Sequence, residues 1–200
     1  MNEVMVKFII LSAIGYIVGS IPAGMIIAKI KGVDLTKIGS GSYGSTNVTR
    51  ALGKKYGYLV FAIDALKAAI IGIMAKSLLM PEEIYFLIVL GFVLLGNSYS
   101  AFLKFKGGKG VATAFGLIVA VNFWVALICL AVWIFAFKVT KTVSTAGLIA
   151  IPVATIVLLI LKEYNQAIFA ILTYIFIAYR HKSNISRIIK GEENSFKKEK

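Results

Sequence analysis

Three polar segments in an otherwise apolar chain carry the residue types that chemistry needs. The first reads Gly39-Ser40-Gly41-Ser42-Tyr43-Gly44-Ser45-Thr46-Asn47 and continues to Arg50, with Lys54-Lys55 beyond. Glycines let backbone N–H groups converge, hydroxyls add donors, and a guanidinium clamps an anionic oxygen. That describes a phosphate cradle. A flexible Gly/Ser connector fits the composition equally well; Thr46, Asn47 and Arg50, which a connector does not need, favour the cradle. Gly39, Gly41 and Gly44 also spell GxGxxG, but a dinucleotide fingerprint needs a preceding strand in a βαβ unit, and an apolar run of helical length stands there instead.

The second segment is Lys104-Phe105-Lys106-Gly107-Gly108-Lys109-Gly110, opening directly into a short helix at Val111. It is no Walker A, because Gly110 follows Lys109 where Ser or Thr is required. A helix that starts after flexible glycines nonetheless offers unpaired N–H groups and the positive end of its dipole to an anion. An ordinary basic loop explains the lysines but not the three glycines around Lys109. The third segment is Tyr179-Arg180-His181-Lys182-Ser183-Asn184-Ile185-Ser186-Arg187. At helical spacing His181 and Asn184 share a face. A basic helix end at a membrane interface is common; the lone His181, of the type most used as a general base near neutral pH, adds a functional alternative.

The elements that must position these segments are membrane helices. The chain has 200 residues, 59% of them hydrophobic, with a mean hydropathy of +0.87, which excludes an ordinary soluble domain. Its net charge of +13 lies between apolar runs, as suits lipid head groups or phosphorylated ligands rather than nucleic acid. Apolar stretches at 4–30, 56–79, 83–103, 142–161 and 165–180 are each near the ~20 residues that cross a bilayer. The stretch 110–138 is too long for one span and Asn122 interrupts it, so it divides into 110–121 and 123–138. The first stretch is too long for a signal-peptide core and lacks a basic start.

This predicts an all-α integral membrane protein of about seven transmembrane helices: one polytopic domain over 1–190 and a polar, mobile tail over 191–200. With the N-terminus outside and the C-terminus cytoplasmic, 18 of the 22 Lys and Arg residues fall on the cytoplasmic side. Ser183 to Lys190 is expected as a short basic helix on the membrane surface. No repeat or pair of matching broken helices points to an inverted-repeat transporter. Gly15 and Gly19 predict close helix packing. Asp64 and Lys67, three apart inside a span, are expected to pair with each other. Ser144 and Thr145 begin the sixth span, and the single Cys129 lies in an apolar run and is read as packing.

Taken together, Gly39 to Arg50, Lys106-Gly-Gly-Lys-Gly-Val-Ala-Thr113, Ser144 and Arg180-His-Lys-Ser-Asn184 resemble the acyl-phosphate:glycerol-3-phosphate acyltransferases, the PlsY-type family. The likeness runs from Gly19-Ser20-Ile21-Pro22-Ala23-Gly24 to Gly191-Glu192, and the Lys-Gly-Gly-Lys-Gly-Val-Ala-Thr run is its most specific part. It implies a seven-helix enzyme of the bacterial inner membrane with a cytoplasmic active site; from the residues themselves, no carboxylate cluster suggests a metal, and no cofactor is expected. Such an enzyme moves a fatty acyl group from acyl phosphate to the 1-hydroxyl of glycerol 3-phosphate, giving lysophosphatidic acid and phosphate. By the same resemblance Ser40, Arg50, Lys109, Ser144, His181 and Asn184 are the catalytic set. Gly41, Ser42, Gly44, Ser45, Thr46, Asn47, Lys104, Lys106, Gly107, Gly108, Gly110, Thr113, Arg180 and Lys182 are expected to bind the substrates. Here Ser42 stands where the family usually has Asn, Ser45 where it has Ala, Asn97 where it has His and Ser100 where it has Pro. Loss of a histidine at 97 throws weight onto His181. The competing class is an anion carrier or channel, which would also gather Lys, Arg and Gly at the mouth of a helical bundle.

Overall fold

The computed structural model describes residues 2–193. Residues 194–200, the greater part of the expected polar tail, lie outside the described residues. The elements are helices α1 (Glu3–Ser20), α2 (Ala23–Ile30), α3 (Ser45–Leu52), α4 (Lys54–Leu79), α5 (Glu83–Ser98), α6 (Val111–Val121), α7 (Phe123–Thr140), α8 (Val143–Ile160), α9 (Tyr164–Arg180) and α10 (Lys182–Ile189). Single turns of 3-10 helix fall at Leu35–Lys37 and Ala101–Leu103, and no strand occurs among the described residues. Five stretches are long and apolar enough to cross a bilayer: Glu3–Ile30, Lys54–Leu79, Glu83–Leu103, Phe123–Thr140 and Val143–Ile160. The other two expected spans are shorter, 11 residues in α6 and 17 in α9. At 1.5 Å per residue α6 reaches only about half-way through the hydrocarbon.

The chain divides into two compact units, one ending at Val121 and one beginning at Asn122. The boundary is the residue that interrupts the long apolar stretch. Asn122 accepts from the backbone N–H groups of Trp124 (3.1 Å) and Val125 (3.2 Å) and so caps α7. In the first unit the Lys76 ammonium donates to the carbonyls of Ala120 (3.3 Å) and Val121 (2.8 Å), satisfying the last turn of α6.

In the first unit α4 packs against α1, α2, α3, α5 and α6, and α1 packs along α5. The α1/α5 contact is close because both faces are small: a side chain at Gly19 would run into the carbonyl of Val93, and one at Gly96 into that of Tyr16. This is the packing the Gly15/Gly19 spacing predicts. The Tyr16 hydroxyl then donates to the Tyr99 carbonyl (2.8 Å) and ties the two helix ends together. The expected first span is two helices, α1 and α2, broken at Ile21-Pro22, where proline supplies no N–H. In the second unit α8 lies between α7 and α9, α9 meets α10, and Ala146, Gly147, Ala150 and Ala154 line the buried side of α8. Apolar side chains face outward in both units, among them Ile70, Phe135 and Ile160. In a bilayer these are lipid contacts, not unsatisfied surface.

Candidate active site

The glycine- and serine-rich segment is a built structure. Beneath it lies a small apolar core of Ala23, Ala28, Leu35, Val48 and Val60, flanked by Tyr43, Ala51, Leu52 and Tyr56. Asn47 holds the loop closed from inside. Fully buried, it accepts from the Ser40 N–H (3.1 Å) and donates to the carbonyls of Ser42 (2.9 Å) and Leu35 (3.2 Å). Its amide is committed to the loop itself, so the loop's shape, more than contact with a ligand, depends on it. Gly39 and Gly41 have φ of +53° and +66°, where a β-carbon is strained. A side chain at Gly39 would also meet the Asn47 oxygen at 2.5 Å and the Arg50 Cδ at 3.1 Å, so the arginine stem lies across the loop. The Ser40 and Ser42 hydroxyls are 2.9 Å apart.

Ser45, Thr46 and Asn47, expected within the loop, form the first turn of α3, with Gly44 as its N-cap. At eight residues, α3 is too short to announce itself by periodicity. It is seated on α4 through Gly57, where a side chain would collide with the Thr49 hydroxyl. The consequence for chemistry is direct. The first N–H groups of a helix have no intrahelical partner and point, with the positive dipole end, away from the helix. Ser45 and Thr46 lie in that first turn, Ser40 and Ser42 in the loop that leads into it, and Arg50, from the last turn, lays its stem across Gly39.

The second segment sits on the C-terminal end of α5. Gly108 donates its N–H to the Asn97 carbonyl (3.0 Å), and a side chain at Gly107 would collide with that same oxygen. Lys104 and Phe105 are non-glycine residues with left-handed φ of +51° and +59°, a conformation that costs energy and marks a constrained turn. Gly110, at φ +88°, turns the chain into α6. Lys104 and Lys106 are exposed, and Lys109 is half-buried beside the helix start. Thr113, in the first turn of α6, is fully buried, and its hydroxyl has no hydrogen-bond partner among the described residues.

The third group belongs to the second unit. Asn184 donates to the Ser144 hydroxyl (2.8 Å) and to the Glu193 carboxylate (2.7 Å), and Ser144 donates to the same carboxylate oxygen (2.9 Å). Arg187 Nε meets the other oxygen of Glu193 at 2.8 Å. Partial burial alone would raise the Glu193 pKa. Hydrogen bonds from Asn184, Ser144 and Arg187, with the Arg187 charge, outweigh it and hold the carboxyl below the ordinary glutamate value. His181 stands at the junction of α9 and α10 and is buried, with Nδ1 2.9 Å from the Ile177 carbonyl. A carbonyl only accepts, so Nδ1 carries the proton and Nε2 is the basic nitrogen of the neutral ring. Lys182 is exposed, its ammonium 5.2 Å from the Tyr179 ring centroid, and Arg180 is half-buried.

Most of the predicted site residues thus fall into three clusters, two in the first unit and one in the second. Glu193 is not among them. Its signal in the sequence is an acidic pair, Glu192-Glu193, set between Arg187 and Lys190 on one side and the basic tail on the other. Although the expected mobile tail begins at 191, Glu193 is tied down by three hydrogen-bond contacts. Asn97 stands out in the sequence only as a departure from the family pattern, yet it carries the second glycine segment. No group of three or more His, Cys, Asp or Glu that could hold a metal ion occurs among the described residues.

Known proteins resemble this chain along nearly its whole length. The family model described as glycerol-3-phosphate acyltransferase matches residues 9–191. A glycerol-3-phosphate acyltransferase of Aquifex aeolicus is 44% identical over 193 residues, covering 95% of this chain and 100% of the relative. One of Hydrogenobaculum is 41% identical over 189 residues, covering 94% and 96%. A crystal structure of PlsY, an integral membrane glycerol 3-phosphate acyltransferase in its glycerol 3-phosphate form, superposes with a TM-score of 0.92 at 42% identity over 96% of each chain. Its lysophosphatidic acid form gives 0.90 at 41%. At this identity, coverage and structural agreement, the chain belongs to the glycerol-3-phosphate acyltransferase family.

Proposed function

We infer that this protein is a membrane enzyme that transfers a fatty acyl group from acyl phosphate to the 1-hydroxyl of glycerol 3-phosphate, releasing phosphate and lysophosphatidic acid. The observation that carries the reading is the match, over 96% of each chain, to an acyltransferase structure in its glycerol 3-phosphate form. The residues fit the chemistry. Both substrates of the proposed reaction carry a phosphate, and the first unit holds two glycine-bearing segments that lead into helices, with the Arg50 stem across one and Lys109 in the other. The second unit supplies buried Ser144, His181 and Asn184, whose polar atoms suit a hydroxylated acceptor.

The bonds balance without a cofactor. The acceptor oxygen attacks the acyl carbonyl, the carbon–oxygen bond to phosphate breaks, and the hydroxyl proton ends on the departing phosphate. Phosphate is already a good leaving group, so the protein has mainly to hold two anions in attack geometry and stabilise the developing oxyanion. His181 stands buried at the junction of α9 and α10, its Nδ1 held by the Ile177 carbonyl. We assign it and Asn184 to holding the acceptor, with Ser40, Arg50 and Lys109 holding phosphate. Seven spans, the N-terminus outside and the C-terminus inside, would place all three clusters on the cytoplasmic face of the bacterial inner membrane, where the acyl chain arrives from the bilayer.

The test is turnover. Purified, detergent-solubilised protein given acyl phosphate and glycerol 3-phosphate should release phosphate and lysophosphatidic acid in equal amounts. Phosphate flux through liposomes without turnover would support the carrier instead.

A further inference from the structure

The reaction proposed above leaves one buried charged pair unused. Asp64 and Lys67 lie on α4, one helical turn apart and 2.7 Å from each other, with side chains only about a tenth exposed (10% and 9%). Removing two charges from water is costly, and a pair that served stability alone could be replaced by apolar residues at little loss or even a gain. Inside a membrane span such a pair therefore asks for a task. Its surroundings supply one. Beyond Asp64, the Lys67 ammonium donates to the Ile21 carbonyl (2.8 Å) and approaches the Asn97 side-chain oxygen at 3.5 Å.

Both contacts are places where regular structure stops. Ile21 lies in the break between α1 and α2, and its neighbour Ser20 has its carbonyl taken by the Ser100 hydroxyl (2.6 Å). Asn97 lies in the last turn of α5, and its own carbonyl receives the Gly108 N–H. Gly107 packs so closely on the Asn97 and Ser98 carbonyls that it has no room for a side chain. Ile21, Asp64, Asn97, Ser100, Gly107 and Gly108 face one narrow recess. Lys67 thus reaches, through a single intervening residue, the segment that leads to Lys109 and the start of α6.

We propose that Lys67, oriented by Asp64, is a positioning residue: it fixes the broken end of α1 and, through Asn97, the platform on which Gly107 and Gly108 rest, and so sets the anion site at Lys109. This rests on the acyltransferase reading. Lys67 itself touches neither substrate. Its loss acts on phosphate binding by loosening the glycine segment.

Two readouts test it, the second independent of activity. Lys67→Met and Asn97→Ala should each raise the KM for one phosphate-bearing substrate, about tenfold or more for Lys67→Met and less for Asn97→Ala, with a smaller change in kcat. The double variant should be no worse than Lys67→Met alone, because one path is cut twice. Separately, with Cys129→Ser removing the native thiol, Ser98→Cys places a thiol on the buried residue whose carbonyl packs against Gly107. A small thiol reagent should label it at least tenfold faster when Lys67→Met is added, at temperatures where both proteins remain folded. Equal labelling rates, or a loss of active protein with KM unchanged, would overturn the proposal. Should Lys67→Met fail to fold, Asn97→Ala, which leaves the ion pair intact, decides by the same two readouts. If the parent protein shows no turnover, the functional reading fails, while the labelling rates still decide the positioning.

Discussion

Asn184 donates to Ser144 over 2.8 Å, and both side chains then meet the same oxygen of Glu193. One carboxylate thus fixes the orientation of two proposed catalytic groups and anchors the chain after α10 to Arg187. Glu193→Gln keeps the shape and removes the charge. Hydrogen bonds to a charged group contribute about 1.5–3 kcal/mol each, so kcat/KM should fall on the order of tenfold or more. The sign of the pH dependence comes from the direction of the shift. The folded carboxyl titrates below the ordinary value of 4.5, so its stabilisation is complete above that value and fades as pH falls through the lowered one. Protease sensitivity after Ile189 should therefore stay low down to pH values under the ordinary glutamate range in the parent protein. In Glu193→Gln it should be high throughout.

Arg50 and Lys109 are assigned to phosphate, and each variant to alanine should lose most activity while remaining folded. Truncating a charge that meets an anion in a shielded site typically costs about 2–5 kcal/mol. Arg50→Lys should recover little, because the planar fork that grips two oxygens is lost. Near-normal kcat/KM in both alanine variants would return these residues to ordinary basic loops.

Gly57 tests whether the cradle depends on the seat of α3. An alanine there collides with the Thr49 hydroxyl and comes to 3.1 Å from the Ser45 carbonyl, in the first turn of the helix that begins the anion site. Gly57→Ala should lower activity more than overpacking lowers stability, roughly 1–3 kcal/mol. Adding Thr49→Ala should restore part of it, since the hardest contact is with the threonine side chain. Kinetics and thermal denaturation of the three proteins decide this.

The helices are legible in the sequence wherever apolarity runs long enough, because length and hydropathy are all a bilayer demands. Asn122 is legible too, since one polar side chain in an apolar run both breaks the pattern and caps the next helix. The break at Ile21-Pro22 is not, because the apolar run continues through it. What divides α1 from α2 is a proline, and the carbonyls left at the break, those of Ser20 and Ile21, are met by Ser100 and Lys67 far along the chain. Helix α3 is hidden for a related reason: eight mostly polar residues are held by tertiary contacts with α4 and by the Asn47 amide. At the site, residue types point to Ser40, Arg50 and His181. Long-range partners such as Glu193 to Ser144 and Asn97 to Gly108 carry no local pattern.

Membrane orientation rests on the distribution of basic residues and is open to labelling. In a Cys129→Ser background, Glu82→Cys should react with an impermeant thiol reagent from outside intact cells, and Lys106→Cys only after the membrane is opened. The reverse pattern would move all three clusters to the outer face.

His181 decides where the proton goes. With Nδ1–H bonded to the Ile177 carbonyl, Nε2 is the nitrogen able to accept a hydrogen bond or a proton. If the departing phosphate takes the proton, the ring serves to hold glycerol 3-phosphate, and a neutral amide can replace it in part. His181→Gln should then chiefly raise the KM for glycerol 3-phosphate and keep a measurable kcat. His181→Asn, whose shorter amide can keep the tie to Ile177 but does not reach the Nε2 position, should raise KM further. If His181 is instead the general base, both variants should lose kcat by about 10²–10⁴ with KM unchanged, the usual worth of such a base. The acid limb of the kcat profile should vanish with it. Steady-state kinetics of the two variants between about pH 5 and 9, bracketing an unperturbed histidine near 6.5, separates the two roles.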